Sequence, residues 1–301
     1  MITLVLLVNA LFALVLPLGK LILQYQQPLT IIALRMILGG FILLGYVSTT
    51  RGIKFPRGKP FVRDIFLLAL FNVFLTNAGE FWGLQHMSAA KTCFIYNLSP
   101  FFSAFFGYLY FKERMTNRKW LGLMISFMGF IPMMMVEAPE EFGLVHIGFL
   151  SSAEIALLIA TISMVYGWIV MQHLVRYTLF DTLTANGVSM IIGGLMSGVG
   201  AYFFESWHSI PTEALVHFIG LLLLIILISN LICYTLYASL LKTYTATFMA
   251  FSGLTGPLFA ALFDWLFFGT LVTWHFYGAT LVVFLGLYLF YQEDLRQGYL
   301  V

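Results

Sequence analysis

The sequence predicts an all-α membrane protein with ten transmembrane helices, arranged as two inverted five-helix repeats with both termini in the cytoplasm. Three observations lead there: a near-absence of charge, apolar runs of spanning length separated by loops whose charge alternates, and an internal repeat. Apolar types make up 61% of the 301 residues and charged types only 9%. A soluble domain carries roughly 25% charged residues, so this surface is matched to lipid rather than water. Ten helices of about 20 residues each would use about 200 residues. The remainder suits short loops and leaves no room for a soluble domain. A formal charge of +2 gives no reason to expect a nucleic-acid partner. Cys93 and Cys233 both lie in apolar runs and read as small packed hydrophobes rather than a disulfide. The opening stretch is long, carries Lys20 and lacks a small-residue cleavage site, so it reads as a retained first helix.

The apolar runs fall at 2–23, 28–50, 64–86, 89–111, 117–136, 149–173, 182–204, 215–240, 245–268 and 272–291. Basic residues cluster between spans two and three (Arg51, Lys54, Arg57, Lys59, Arg63) and between spans four and five (Lys112, Arg114, Arg118, Lys119). Arg176, Lys242 and Arg296 fall on the same side. The opposite loops carry Glu137, Glu140, Glu141, Glu205 and Glu213. Because positive loops stay inside, both termini are expected in the cytoplasm, and the unbroken alternation supports an even span count.

The repeat is visible in paired frames. Ser88-Ala89-Ala90, Pro100-Phe101-Phe102-Ser103-Ala104-Phe105-Phe106 and Gly122 are followed later by Thr245-Ala246-Thr247, Pro257-Leu258-Phe259-Ala260-Ala261-Leu262-Phe263 and Gly278. The expected units are 1–136 and 149–301, joined by an external acidic loop at 137–148. An odd number of spans per unit inserts the second copy upside down, a plan that recurs in secondary transporters with the site near the midplane.

The same residues resemble the EamA family of the drug/metabolite transporter superfamily. Pro28 with Arg35, Ser88-Ala89-Ala90 leading into Leu98-Ser99-Pro100, the Glu113-Arg114 loop, Gly122 and Gly129 follow its pattern in the first unit. The second keeps Pro257, Gly278 and Gly286 but has Gly269-Thr270 where an acidic residue is usual. The resemblance implies ten helices, alternating access and no covalent chemistry. It implies carriage of a small organic solute, with a proton or a counter-transported solute as the coupling partner. One branch of the family moves S-adenosylmethionine, a solute with a planar base, a sulfonium and an amino-acid end. Export of amino acids or related metabolites is the alternative within the class, and an intramembrane enzyme, receptor or structural subunit lies outside it. No GxxxxGK[ST] loop, HExxH or Cys-x-x-Cys is present, so no cofactor or metal is expected.

Charge is costly inside a bilayer and marks functional positions. The intramembrane set is Lys20, Arg35, Glu80, Lys91, Glu154 and Asp264. Glu80, with Asn77 one turn earlier and Phe81 and Trp82 beside it, reads as a carboxylate for a cationic solute or proton, or as the partner of Lys20, Arg35 or Lys91. Lys20 and Lys91 either snorkel to the interface or capture a substrate carboxylate. Arg35 reads as an ion-pair or cap residue, and Asp264 as a gating or headgroup contact. Glu154, Thr161 and Trp168 share one helix face, as do Asn230, Tyr234 and Tyr237. Trp168 and Tyr237 also suit an interfacial belt. Phe94, Tyr96, Asn97 and Ser99 precede Pro100, and Pro100 and Pro257 are expected to kink their spans and free carbonyls for a site.

Overall fold

The computed structural model describes residues 2–52, 59–86, 92, 95–135, 146–147, 150–178, 180–206, 210–256, 258–259, 262–263 and 274–299. The described residues are helical almost throughout. In order come α1 (Ile2–Ile22), α2 (Pro28–Thr50), α3 (Lys59–Leu67), a π-helical segment (Leu68–Leu75), α4 (Thr76–His86), α5 (Ser99–Phe111) and α6 (Asn117–Met135). A two-residue antiparallel ladder pairs His146–Ile147 with Leu150–Ser151. Then come α7 (Ser152–Gln172), a second π segment (His173–Tyr177), α8 (Thr182–Phe204), α9 (Thr212–Ile225), a third π segment (Ile226–Cys233), α10 (Tyr234–Leu240), α11 (Ala246–Ser252), a 3-10 turn (Gly253–Thr255) and α12 (Trp274–Arg296).

Among the described residues six continuous helices are long and apolar enough to cross a membrane: Ile2–Ile22, Pro28–Thr50, Phe61–His86, Ser152–Tyr177, Thr182–Phe204 and Thr212–Leu240. They coincide with expected spans one, two, three, six, seven and eight. The helical segments α5, α6, α11 and α12 fall in the other four expected positions, with α12 running to Arg296. Large apolar side chains such as Phe203 and Phe204, 71% and 85% exposed, face outward. That arrangement needs hydrocarbon around it.

Helix ends are set by local chemistry. Pro28 opens α2, where a missing N–H costs nothing. Asp181 caps α8 by accepting from the Thr184 N–H at 2.9 Å. The Thr245 hydroxyl caps α11 by accepting from Phe248 N–H at 3.0 Å. Glu205, expected merely as a loop charge, accepts from Leu29 N–H at 2.6 Å, Thr30 N–H at 2.8 Å and the Thr30 hydroxyl at 2.9 Å. It thus closes the α2 N-terminus from the far end of α8, where a negative charge is favoured by the helix dipole.

Two long helix pairs meet through glycine. A Cβ on Gly40 of α2 would lie 2.7 Å from the Gly187 carbonyl oxygen of α8, and one on Gly122 of α6 would lie 2.7 Å from the Gly286 carbonyl oxygen of α12. Small residues let membrane helices approach backbone to backbone, so α2 lies along α8 and α6 along α12. The second pair also carries a salt bridge: Lys119 of α6 and Asp294 of α12 are in direct contact with side chains 2% and 1% exposed. Lys119 further faces the rings of Tyr299 and Phe290, at 4.5 and 5.4 Å. Beside this pair, buried Glu113 accepts from the Thr247 hydroxyl at 2.7 Å.

The π segments Leu68–Leu75 and Ile226–Cys233 are each eight residues long, and each has an asparagine fifth, Asn72 and Asn230. The sequence reading did not foresee them. A wider turn leaves backbone carbonyls for side chains to satisfy, and such turns recur at functional sites.

Candidate functional site

The site begins at the first π segment. Its carbonyls are met by side chains rather than by the backbone alone. The Asn77 amide donates to the Val73 carbonyl at 2.6 Å and the Asn72 carbonyl at 3.4 Å, and the Thr76 hydroxyl donates to the Phe71 carbonyl at 2.6 Å. The Tyr234 hydroxyl donates to the Asn72 carbonyl at 3.4 Å and lies 3.1 Å from the Asn77 amide nitrogen. Asn77 is therefore locked, with its carbonyl oxygen turned toward α2. There it accepts directly from the Arg35 Nη2. Arg35 is 1% exposed, and its guanidinium lies 4.6 Å from the Phe81 ring.

These residues border a cavity of about 170 Å³ between the helices. Asn77, Glu80, Tyr96, Asn97, Trp168, Tyr234, Tyr237 and Arg35 all line it. The structure thus brings eight of the residues that the sequence singled out around one cavity. Trp168 and Tyr237 lie 4.2 Å apart at an interplanar angle of 33°, and Trp168 and Tyr234 lie 5.4 Å apart. Phe12 closes the wall edge-on, 6.3 Å from Tyr234 and 6.1 Å from Tyr237. Trp168 and Tyr237 are buried inside the protein, which rules out the interfacial-belt reading. Glu80 faces Tyr96 and feels the charge of Arg35 without forming a direct ion pair with it.

Other expected residues lie elsewhere. Glu154 is the third residue of α7: its carboxylate accepts from the Ser151 N–H at 2.5 Å while its own N–H donates to the Ser151 hydroxyl at 3.2 Å. This is a capping box, outside the cavity lining. Asn230 also lies outside the lining, directing its amide at the sulfurs of Met36 (3.0 Å) and Met190 (3.8 Å). Its burial answers to helix packing, since Gly39 closes against its Cβ. Trp82 lies tilted against His86, with ring centroids 4.6 Å apart, and packs on the cluster around Ile95 and Leu157 rather than on the cavity. Lys20 is half-buried and likewise not part of the lining. Pro100 does not bend a continuous helix; it is the second residue of α5, following a turn at Asn97–Leu98. That break is what exposes Asn97 to the cavity. Lys91, Phe94, Pro257 and Asp264 lie outside the described residues. In the second half the 3-10 turn Gly253–Thr255 interrupts its span and gives Gly253 to the lining.

Sequence reasoning missed Asn9, Phe12 and Ser229. Asn9 lines the cavity while its amide donates to the Ser252 carbonyl and hydroxyl, both at 2.9 Å, tying α1 to the end of α11. It is the one polar side chain between Thr3 and Lys20 of α1, and the intramembrane search considered charges before amides.

Arg35, Glu80 and a wall of aromatic rings around a cavity, in a multi-pass helical bundle, are the arrangement that a membrane carrier of small organic molecules would need. The profile of the EamA-like transporter family matches residues 1–135 and 151–292, and the chain belongs to that family. A relative from Chlamydia muridarum, an S-adenosylmethionine/S-adenosylhomocysteine transporter, is 34% identical over 287 residues, covering 94% of this chain and 89% of its own. A relative of the same description from Chlamydia trachomatis serovar L2 is also 34% identical, covering 94% and 86%. A crystal structure at 14% identity superposes with a TM-score of 0.73 over 98% of this chain and 96% of the other, a likeness of fold alone.

Proposed function

We propose that this chain exchanges S-adenosylmethionine for S-adenosylhomocysteine across the cytoplasmic membrane by alternating access. The observation that carries the substrate is the 34% identity to transporters of that pair over 94% of the chain. The cavity suits both solutes. Aromatic faces at Trp168, Tyr234 and Tyr237 can stack an adenine and attract a sulfonium, while Arg35 and Glu80 meet an amino-acid end.

The architecture proposed for this work is ten helices in two inverted repeats, 1–136 and 149–301, with both termini in the cytoplasm. Support comes from the two family matches, from the π segments with asparagine in the same place, and from the glycine contacts that pair α2 with α8 and α6 with α12. A cavity of about 170 Å³ is below the ~300–1,000 Å³ usual for ligands of this size. Loading therefore requires the two halves to part.

Exchange also supplies a driving force. S-adenosylmethionine carries one more positive charge than S-adenosylhomocysteine, so each swap moves one charge. At 100 mV, inside negative, this is worth about 2.3 kcal/mol, or about fiftyfold in favour of S-adenosylmethionine entry.

The test is counterflow in proteoliposomes loaded with unlabelled S-adenosylmethionine and given labelled solute outside. Saturable accumulation, blocked by S-adenosylhomocysteine but not by adenosine or amino acids, supports the reading. Folded, inserted protein that shows no accumulation overturns it and brings forward the amino-acid exporter.

A further inference from the structure

We infer that Arg35 and Glu80 form a clamp for the zwitterionic α-amino-acid end of the solute, with Arg35 as the carboxylate receptor. The inference rests on the proposed substrate and assigns which part of that molecule the cavity recognises by charge. From sequence, Arg35 reads as an internal ion-pair or cap residue; among the described residues no carboxylate pairs with it directly. Its guanidinium gives one nitrogen, Nη2, to the Asn77 carbonyl oxygen. Its Nε and Nη1 are buried with no acceptor among the described residues. A guanidinium has donors only and stays charged. Glu80 is near enough to feel this charge but accepts no bond from it; burying two guanidinium nitrogens without acceptors is costly, and a substrate carboxylate is the group that removes the cost.

Two further features fix the assignment. Phe81 at 4.6 Å and the locked Asn77 hold the guanidinium in place, so little order is lost when a carboxylate arrives. Glu80 lines the same cavity without pairing directly with Arg35. A simple anion would meet Arg35 and be repelled by Glu80, and a simple cation the reverse. A molecule with carboxylate and ammonium on one carbon satisfies both. The sulfonium is then left to the rings of Trp168, Tyr234 and Tyr237, where its charge is attracted but not required. This explains how one site serves a net-cationic solute and its net-neutral product, which keeps the same zwitterionic end.

The experiment compares analogues in counterflow of labelled S-adenosylmethionine by wild type, Arg35→Gln and Arg35→Lys. Decarboxylated S-adenosylmethionine keeps the sulfonium and amine but lacks the carboxylate; 5′-methylthioadenosine lacks the whole amino-acid end. In wild type both are expected to compete on the order of ten- to a hundredfold more weakly than S-adenosylhomocysteine, the loss of a charged hydrogen bond. In Arg35→Gln the affinity for S-adenosylmethionine falls to that of the decarboxylated analogue, which itself changes little. Equal competition by the decarboxylated analogue in wild type overturns the clamp while leaving the transported solute intact. This arm needs no variant to fold. If wild type carries no S-adenosylmethionine, the function reading fails separately. The clamp is then read by thermal stabilisation with methionine against methioninol: protection by methionine alone supports it, and equal or absent protection overturns it.

Discussion

Replacing Lys119 by Met removes one partner of a pair that is 2% and 1% exposed. The apolar stem is retained, so the loss isolates the ammonium, both its ion pair and its approach to the rings of Tyr299 and Phe290. Breaking a buried ion pair from one side costs about 3–5 kcal/mol because the other charge is stranded. Replacing both partners, Lys119→Met with Asp294→Leu, is expected to recover most of that loss, since buried pairs contribute little net stability over an apolar pair of similar volume. The assay is a double-mutant cycle on detergent-solubilised protein, followed by chemical or thermal denaturation. The expected coupling is at least about 2 kcal/mol. A single variant that loses less than about 1 kcal/mol would refute the reasoning, because Asp294 would then have another partner or water. So would a double variant as unstable as the single one, because the pair would then be a net stabiliser.

Three further outcomes follow from other features. Burial pushes the carboxyl of Glu113, in the loop after α5, above the usual range, opposed by the Thr247 hydroxyl it accepts from. Wild type therefore loses stability as pH rises from the ordinary carboxylate value through the raised one; Glu113→Gln removes this slope, so pH scans of melting should converge in acid and separate at neutral pH, and parallel scans would refute it. Glu205→Ala strips three acceptor contacts from the start of α2 and should cost about 1–2 kcal/mol, seen as faster hydrogen exchange at Leu29 and Thr30. Gly286→Ala drives a methyl into the Gly122 carbonyl and Ser126 and should destabilise by about 1–3 kcal/mol, whereas Gly220→Ala, with open space around it, should be neutral or gain up to about 1 kcal/mol in melting experiments.

The long apolar runs located the six long apolar helices because length and hydropathy are summed over some twenty residues. Within a span the sequence was less decisive. Asn77 and Glu80 on α4, and Tyr234 and Tyr237 on α10, were legible from helical spacing, since the cavity takes one face of each. Which polar residue faces solute and which faces a neighbour depends on how helices rotate against one another. Asn230 and Asn72 occupy like positions, yet Asn230 spends its amide on two methionine sulfurs. Glu154 was readable as a cap from Ser151 three residues before it, a local signal outweighed by its apparent depth in the membrane. Lys119 was counted as a loop charge because its partner Asp294 is 175 residues away in the chain, beyond the reach of any spacing rule.

The π segment Leu68–Leu75 gives the site an unusual dependence on residue count. Each residue of an α-helix turns the chain by roughly 100°, so the widened turn sets the rotational phase of everything after it. The widened turn absorbs about one extra residue, so forcing this segment into regular α geometry at unchanged length would swing Asn77 and Glu80 by at least about a quarter-turn. Both would leave the cavity together, although every side chain that lines it remained in the sequence.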